Sequence, residues 1–174
     1  IEKAFKIINK WWTIPEVSVI GQFYENPYYI NCIVNRAKEF NLSNYDHFIF
    51  SYHGIPERHV DKVYLDGKPC ADHNCDEEIN HENKHCYKAA CYATSRLLVE
   101  ALNLKDGTYS TCFQSRLGRD PWLKPYTDHI IEKLAKEGKK RVLVFSPAFV
   151  SDCLETTIEI GEEYLELFQE HGGE

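Results

Sequence analysis

Four cysteines crowd one short stretch of the chain. Cys70, Cys75, Cys86 and Cys91 follow the pattern C-x4-C-x10-C-x4-C, and Asp72, His73, Asn74, Asp76, Glu77 and Glu78 keep that stretch polar. Structural thiols normally sit among apolar neighbours. Four thiolates so spaced suit a tetrahedral Zn²⁺ or an iron–sulfur cluster, with His73, His81 and His85 as substitute donors. The competing reading is free or disulfide-forming thiols. Seven cysteines in all, unevenly placed, do not make a secreted disulfide framework. Cys32 and Cys112 look like ordinary helix and strand residues.

A second set of residues could move protons and cations. His53 stands in Ser51-Tyr52-His53-Gly54-Ile55-Pro56-Glu57-Arg58, where Gly54 and Pro56 force a turn. An imidazole there can accept a proton near neutral pH or bind a borderline metal; the alternative is a packing histidine. Glu155, Glu159 and Glu163 recur at i, i+4 and i+8, which puts them on one helix face, with Asp152 a turn earlier. That row is either a solvated acidic face or a carboxylate ladder suited to divalent cations or protons. Trp122, bracketed by Pro121 and Pro125, and Phe149, in Pro147-Ala148-Phe149-Val150, are either core anchors or walls for a flat ligand.

The elements that must position these residues alternate. Helices are expected over 1–12, 27–40, 89–101, 125–137 and 151–169. Strands are expected over 17–23, 45–52, 108–113 and 141–145. Alternation of this kind builds an α/β fold, here a four-stranded parallel sheet with helices on both faces. Sites in such sheets form at the C-terminal strand ends. Those ends are His53–Gly54, Gln114–Ser115 and Pro147–Phe149, so three loops should meet at one edge. Residues 66–91 read as a cysteine-rich insert.

Composition narrows the function. The chain has 174 residues, 43% of them hydrophobic, enough for one domain with a core. Lys and Arg number 20 against 27 Asp and Glu, and a net charge of -7 argues against nucleic-acid binding. No apolar run approaches the roughly 18–20 residues of a membrane span. The chain opens on Ile1 and contains no Met, so it reads as a piece of a longer protein.

Three ordered stretches resemble the ferrochelatase family: SYHGIPER at 51–58, FQSRLGRDPWLKPYTD at 113–128 and SPAFVSDCLETTIEI at 146–160. GQFYENPYYI at 21–30 fits too. The resemblance covers nearly all of the chain outside the cysteine stretch and matches the second half of a family member. It implies a chelatase-like, flavodoxin- or Rossmann-like three-layer domain. It implies insertion of Fe²⁺ into protoporphyrin IX to give protohaem, in the cytoplasm of a bacterium, with the first half of the enzyme as the opposite lip of the cleft. This half alone would then not be a competent enzyme.

By the same resemblance, His53 is the active-site histidine and Glu155 faces it across the macrocycle. Glu159, Glu163 and Asp152 line a metal or proton path on a π-bulged helix. Tyr52, Gln114, Ser115, Trp122 and Phe149 border the porphyrin. Cys153 stands where the family often has His. Some family members carry [2Fe–2S] clusters, often on C-terminal cysteines, so by analogy a cluster is favoured over Zn²⁺ on the four internal thiols.

Other readings stay open: a related chelatase for another metal or porphyrin, or a non-catalytic metal- or haem-binding domain. A flavodoxin-like redox domain is a third option, but no phosphate-binding Gly/Ser/Thr loop follows the first strand. Peripheral membrane contact, a homo-oligomer built on the insert, and protoporphyrin against coproporphyrin are likewise open.

Overall fold

A computed structural model describes residues 1–174. Three parallel strands form the sheet: β1 (His47–His53), β2 (Tyr109–Gln114) and β3 (Val142–Phe145), in the order β2-β1-β3. The central strand β1 is buried along its length except at His53, as expected for a parallel strand covered on both faces. Its side chains alternate. Phe50 and Tyr52 join the core formed with α2 (Pro27–Ala37) and α4 (Tyr87–Ala101), against Ile30, Val34 and Leu98. Ile49 points the other way, to Ile131 and Leu134 of α5 (Thr127–Lys136) and Phe168 of α6 (Tyr164–Glu170). Two short helices, α1 (Glu2–Ile8) and α3 (Glu57–Asp61), lie outside these layers.

The sheet has three strands, not the four expected. Residues 17–23 are the difference. Val17, Val19 and Ile20 favour extended backbone, but a strand exists only when an edge pairs with it, and here Val19 is 50% and Ile20 86% exposed with no ladder partner. The first helix also stops early, at Ile8 rather than Trp12.

The acidic helix has the π form that the resemblance implies rather than the plain α-helix of the residue pattern. Residues Glu155–Glu163 form a π-helix that runs into α6. Its i→i+5 bonding widens the coil, a rare form that is frequent at functional sites. No helix is long and apolar enough to cross a membrane.

Candidate active site

His53 ends β1 and pairs in register with Gln114, the last residue of β2. Its Nδ1 lies 2.6 Å from the Gly54 carbonyl oxygen. A carbonyl can only accept, so Nδ1 carries the proton and Nε2 is left as the basic atom of the neutral ring. Tyr87 Oη donates to the His53 carbonyl at 2.9 Å, which fixes the backbone beneath the ring. The Phe149 ring stands 6.2 Å from the imidazole, centroid to centroid. The Pro147–Phe149 loop therefore reaches His53, and the end of β2 supplies its register partner.

The turn after His53 locks against the loop that holds Trp122. Pro56 and Trp122 form an antiparallel bridge, Glu57 N donates to Pro121 O at 2.9 Å, and Leu123 N donates to Ile55 O at 3.1 Å. Arg58 pairs with Asp120 across the same seam. Gly54 permits the approach: a Cβ there would lie 2.8 Å from the Gln114 carbonyl oxygen and 3.3 Å from Trp122 Cε3. Trp122 Nε1 donates to Leu117 O at 2.9 Å, so the half-buried indole has a fixed orientation.

Glu159 is the hub of the far side. Its Oε1 accepts from Ser115 N at 2.7 Å and Tyr164 Oη at 2.7 Å; its Oε2 accepts from Gln114 Nε2 at 2.9 Å and Ser115 Oγ at 2.5 Å. Four donors fill the lone-pair positions of one carboxylate. Burial pushes its pKa up, and donation from Ser115, Tyr164 and Gln114 more than reverses this, so the net shift is downward. Ser115 sits at φ +63°, a left-handed conformation rare for a residue with a side chain, and its two bonds to Glu159 hold it there.

Gln114 also donates to the Glu155 carbonyl at 2.9 Å and accepts from Ser51 Oγ at 2.7 Å, while Ser51 shares a bond of 2.9 Å with Thr127 Oγ1. A buried polar chain thus runs from α5 through β1 and β2 to the π-helix. The Glu155 carboxylate is held below its ordinary value, chiefly by its own backbone N–H and then by the Cys153 thiol, with the His53 charge acting the same way.

The structure spreads the remaining residues more widely. Tyr52 is 2% exposed, and its hydroxyl bonds Ser95 Oγ at 3.0 Å; Gln114 is 1% exposed. Both lie beneath the edge rather than on it. Glu163 and Asp152 are exposed. The largest cavity, about 830 Å³, lies between α2 and β3 and includes Phe149 and Asp152 but not His53. His53, Glu155 and Trp122 belong to the strand-end edge beside it, where the chemistry-bearing groups converge.

The ferrochelatase family model matches residues 1–174. The chain belongs to the ferrochelatase family. It is 41% identical over 176 residues to a ferrochelatase of Pseudomonas fluorescens (strain SBW25), covering all of this chain and 52% of the relative. A ferrochelatase of Legionella pneumophila (strain Corby) is 43% identical, again over all of this chain and 51% of the relative. A Coxiella burnetii (strain Dugway 5J108-111) ferrochelatase is 44% identical over 91% of this chain and 45% of its own length. The chain spans about half the length of the curated relatives it matches.

In this ferrochelatase-family chain the cysteines divide three to one. The thiols of Cys70, Cys75 and Cys86 lie within 4.8 Å of one another, and all three residues are buried. Cys70 Sγ is 3.5 Å from Cys75 Sγ and 3.5 Å from Cys86 Sγ. Cys86 stands at the N-terminal boundary of α4, and hydrogen bonding with the Cys70 thiol holds its pKa below the ordinary value against the cost of burial. Cys91 is not part of the group. Five residues along the helix turn it about 140° away and carry it about 7.5 Å up the axis. It instead lines a cavity of about 200 Å³ with Tyr52 and Tyr87, and burial raises its pKa. Tyr64 has no place in the spacing pattern, yet its hydroxyl lies 2.7 Å from Cys75 Sγ. The signal that would have found it is an aromatic residue six positions before Cys70, just ahead of the polar insert.

Proposed function

We propose that the intact protein inserts Fe²⁺ into protoporphyrin IX to give protohaem, and that this chain supplies the His53 side of the site. The observation that carries this reading is His53 at the end of the central strand, with Nδ1 committed to Gly54 and Nε2 free to act. Metal insertion takes one Fe²⁺ in and releases two pyrrole protons. An imidazole with a free Nε2 accepts such a proton near neutral pH. Trp122 and Phe149 flank His53 as walls for a planar macrocycle.

Glu155 holds or partly dehydrates the incoming cation, with Asp152 and Glu163 on the same path as oxygen donors. Glu159 passes a cation only if one of its four donors leaves, so its resting part is to hold Ser115 and Gln114. Tyr52 and Gln114 support the porphyrin side from below, and Ser115 borders it. The other half of the relatives' length supplies the facing lip, and the bacterial cytoplasm is the place of action.

The cysteine insert, residues 66–91, holds a resident metal in this reading, structural or sensory because the insertion reaction transfers no electrons. A [2Fe–2S] cluster on Cys70, Cys75, Cys86 and Cys91 asks for four thiolates spread over two irons. Cys70 Sγ at 3.5 Å from both Cys75 Sγ and Cys86 Sγ, with all three thiols within 4.8 Å of one another, fits a single tetrahedral ion better, since bonds of about 2.3 Å give an edge of about 3.8 Å. That observation favours Zn²⁺ over the cluster.

Anaerobic Fe²⁺ with protoporphyrin IX and the intact protein tests the reaction. Loss of porphyrin fluorescence with appearance of protohaem is expected. An inert mixture, with porphyrin bound but unchanged, would contradict it.

A further inference from the structure

A cation can reach the Glu159 carboxylate only when one of its donors leaves, and the three residues that donate differ in what their departure would disturb. Gln114 is 1% exposed, its Nε2 also holds the Glu155 carbonyl at 2.9 Å, and its Oε1 accepts from Ser51 Oγ at 2.7 Å. Moving it would strand several buried groups at once. Tyr164 follows Glu159 by five residues on the same helical run, so its hydroxyl travels with the carboxylate.

Ser115 is held differently. It is half-buried at φ +63°, a conformation that a residue with a side chain keeps only where its surroundings impose it. Both of its donors, N and Oγ, end on Glu159. Arg116, Leu117 and Gly118 after it are exposed, so water can take up both donors once they let go. Letting go also relieves the backbone. Of the three residues, Ser115 is released most easily.

Release has a consequence two residues on. The Leu117 carbonyl accepts from Trp122 Nε1 at 2.9 Å and so sets the rotation of the indole. The Trp122 backbone is fixed separately, by its bridge to Pro56. Successive Cα atoms are about 3.8 Å apart, so Ser115 and Leu117 cannot separate by more than about 7 Å, and a turn about Ser115 swings the Leu117 carbonyl. Arg116 between them is tied to the start of α5: its Nη2 donates to Asp128 Oδ2 at 2.6 Å, and its guanidinium lies 4.2 Å from the centre of the Tyr126 ring. Residues 115–117 are thus a short strap from the π-helix to the Trp122 wall, anchored at each residue.

We propose that Ser115 is a positioning residue: it is the donor that gives way when a cation occupies Glu159, and through Leu117 it sets the orientation of the Trp122 indole. The proposal rests on the reading that cation and porphyrin meet at this edge, and it names the strap that couples them. A cation on Glu159 frees Ser115, the Leu117 carbonyl moves, and Trp122 loses its anchor. Porphyrin then binds less tightly to the loosened wall. Coupling between two ligands is reciprocal. Porphyrin seated on the anchored indole lowers the hold of Glu159 on the cation by the same factor, which favours passing the cation on.

The test uses the intact protein with protoporphyrin IX and Ca²⁺, a cation that takes oxygen ligands and is too large for the macrocycle. Porphyrin affinity is read by fluorescence with and without saturating Ca²⁺, and Ca²⁺ affinity by calorimetry. In the parent, Ca²⁺ should weaken porphyrin binding about 5–20-fold. Trp122→Phe keeps an aromatic wall without the Nε1 donor, and there the Ca²⁺ effect should fall below about twofold. Ser115→Gly suits the left-handed backbone, drops Oγ and lets the chain turn without moving Leu117, so its Ca²⁺ effect should fall to the same level. A parent whose porphyrin affinity is unmoved by bound Ca²⁺ would overturn the coupling. An effect undiminished in either folded variant would overturn the route through Ser115 and Leu117. A parent that binds no Ca²⁺, or binds it equally well after Glu159→Gln, would instead remove Glu159 from the cation path, and with it the reading beneath the proposal.

Discussion

Glu159 uses all four lone-pair positions of its carboxylate within the chain, on Ser115, Gln114 and Tyr164. Its folded pKa lies below the unfolded value, so its stabilising contribution is present in full above the unfolded carboxyl pKa and is lost as pH falls through the folded one. Glu159→Gln should remove that dependence. The variant is expected to be about 2 kcal/mol less stable at pH 7, since charge-assisted bonds become neutral or are lost. Denaturation of parent and variant from pH 7 down to about 3 should show the gap narrowing as the parent's carboxylate protonates. A gap independent of pH would contradict the assignment. Gly54 makes the opposite kind of demand, for space rather than charge. Gly54→Ala places a Cβ 2.8 Å from a backbone oxygen that is fixed in the sheet. A loss of about 1–3 kcal/mol is expected from denaturant unfolding, and an unchanged midpoint would mean the loop relaxes freely.

At the scale of elements, the π-helix is positioned by β2 through one side chain. Gln114 Nε2 holds the Glu155 carbonyl and the Glu159 carboxylate together. Gln114→Leu keeps the bulk and removes both bonds. It should lower insertion activity of the intact protein while leaving porphyrin affinity within a few-fold, and cost about 1–3 kcal/mol because Ser51 and the Glu155 carbonyl lose a buried partner. Full activity would mean that the π-helix holds its shape without this brace. The strand that ends at His53 was legible because the short aromatic-rich run Phe48, Ile49, Phe50 is closed by Gly54 and Pro56, which leaves too little length for a helix. The brace was not. Gln114 gives no periodic signal, and whether a glutamine faces a ligand or a neighbouring helix is settled by packing. The widened coil was equally silent in the residue pattern, because Glu155, Glu159 and Glu163 share a face in an α-helix and remain near one another in a π-helix. Residues 17–23 have strand composition, but pairing is a tertiary event that composition does not contain.

Across the whole molecule, the three-layer α/β arrangement and the meeting of strand-end loops followed from the alternation of elements. The division of the cysteines did not. Spacing alone treats Cys70, Cys75, Cys86 and Cys91 as a symmetric pair of pairs, whereas α4 turns Cys91 to the opposite side and the fold brings Tyr64 in from the preceding loop. The chain covers about half of its relatives' length, and His53, Trp122, Phe149 and Glu155 are each only partly buried at the strand-end edge. The account's central claim is that His53 accepts the pyrrole proton at that edge. The measurement that tests it most directly is Fe²⁺ insertion by the intact protein beside its His53→Ala variant, with porphyrin affinity measured on both. The account predicts a loss of insertion of at least about 10²-fold with porphyrin affinity changed no more than a few-fold. A variant that still turns over at the parent's rate would contradict it.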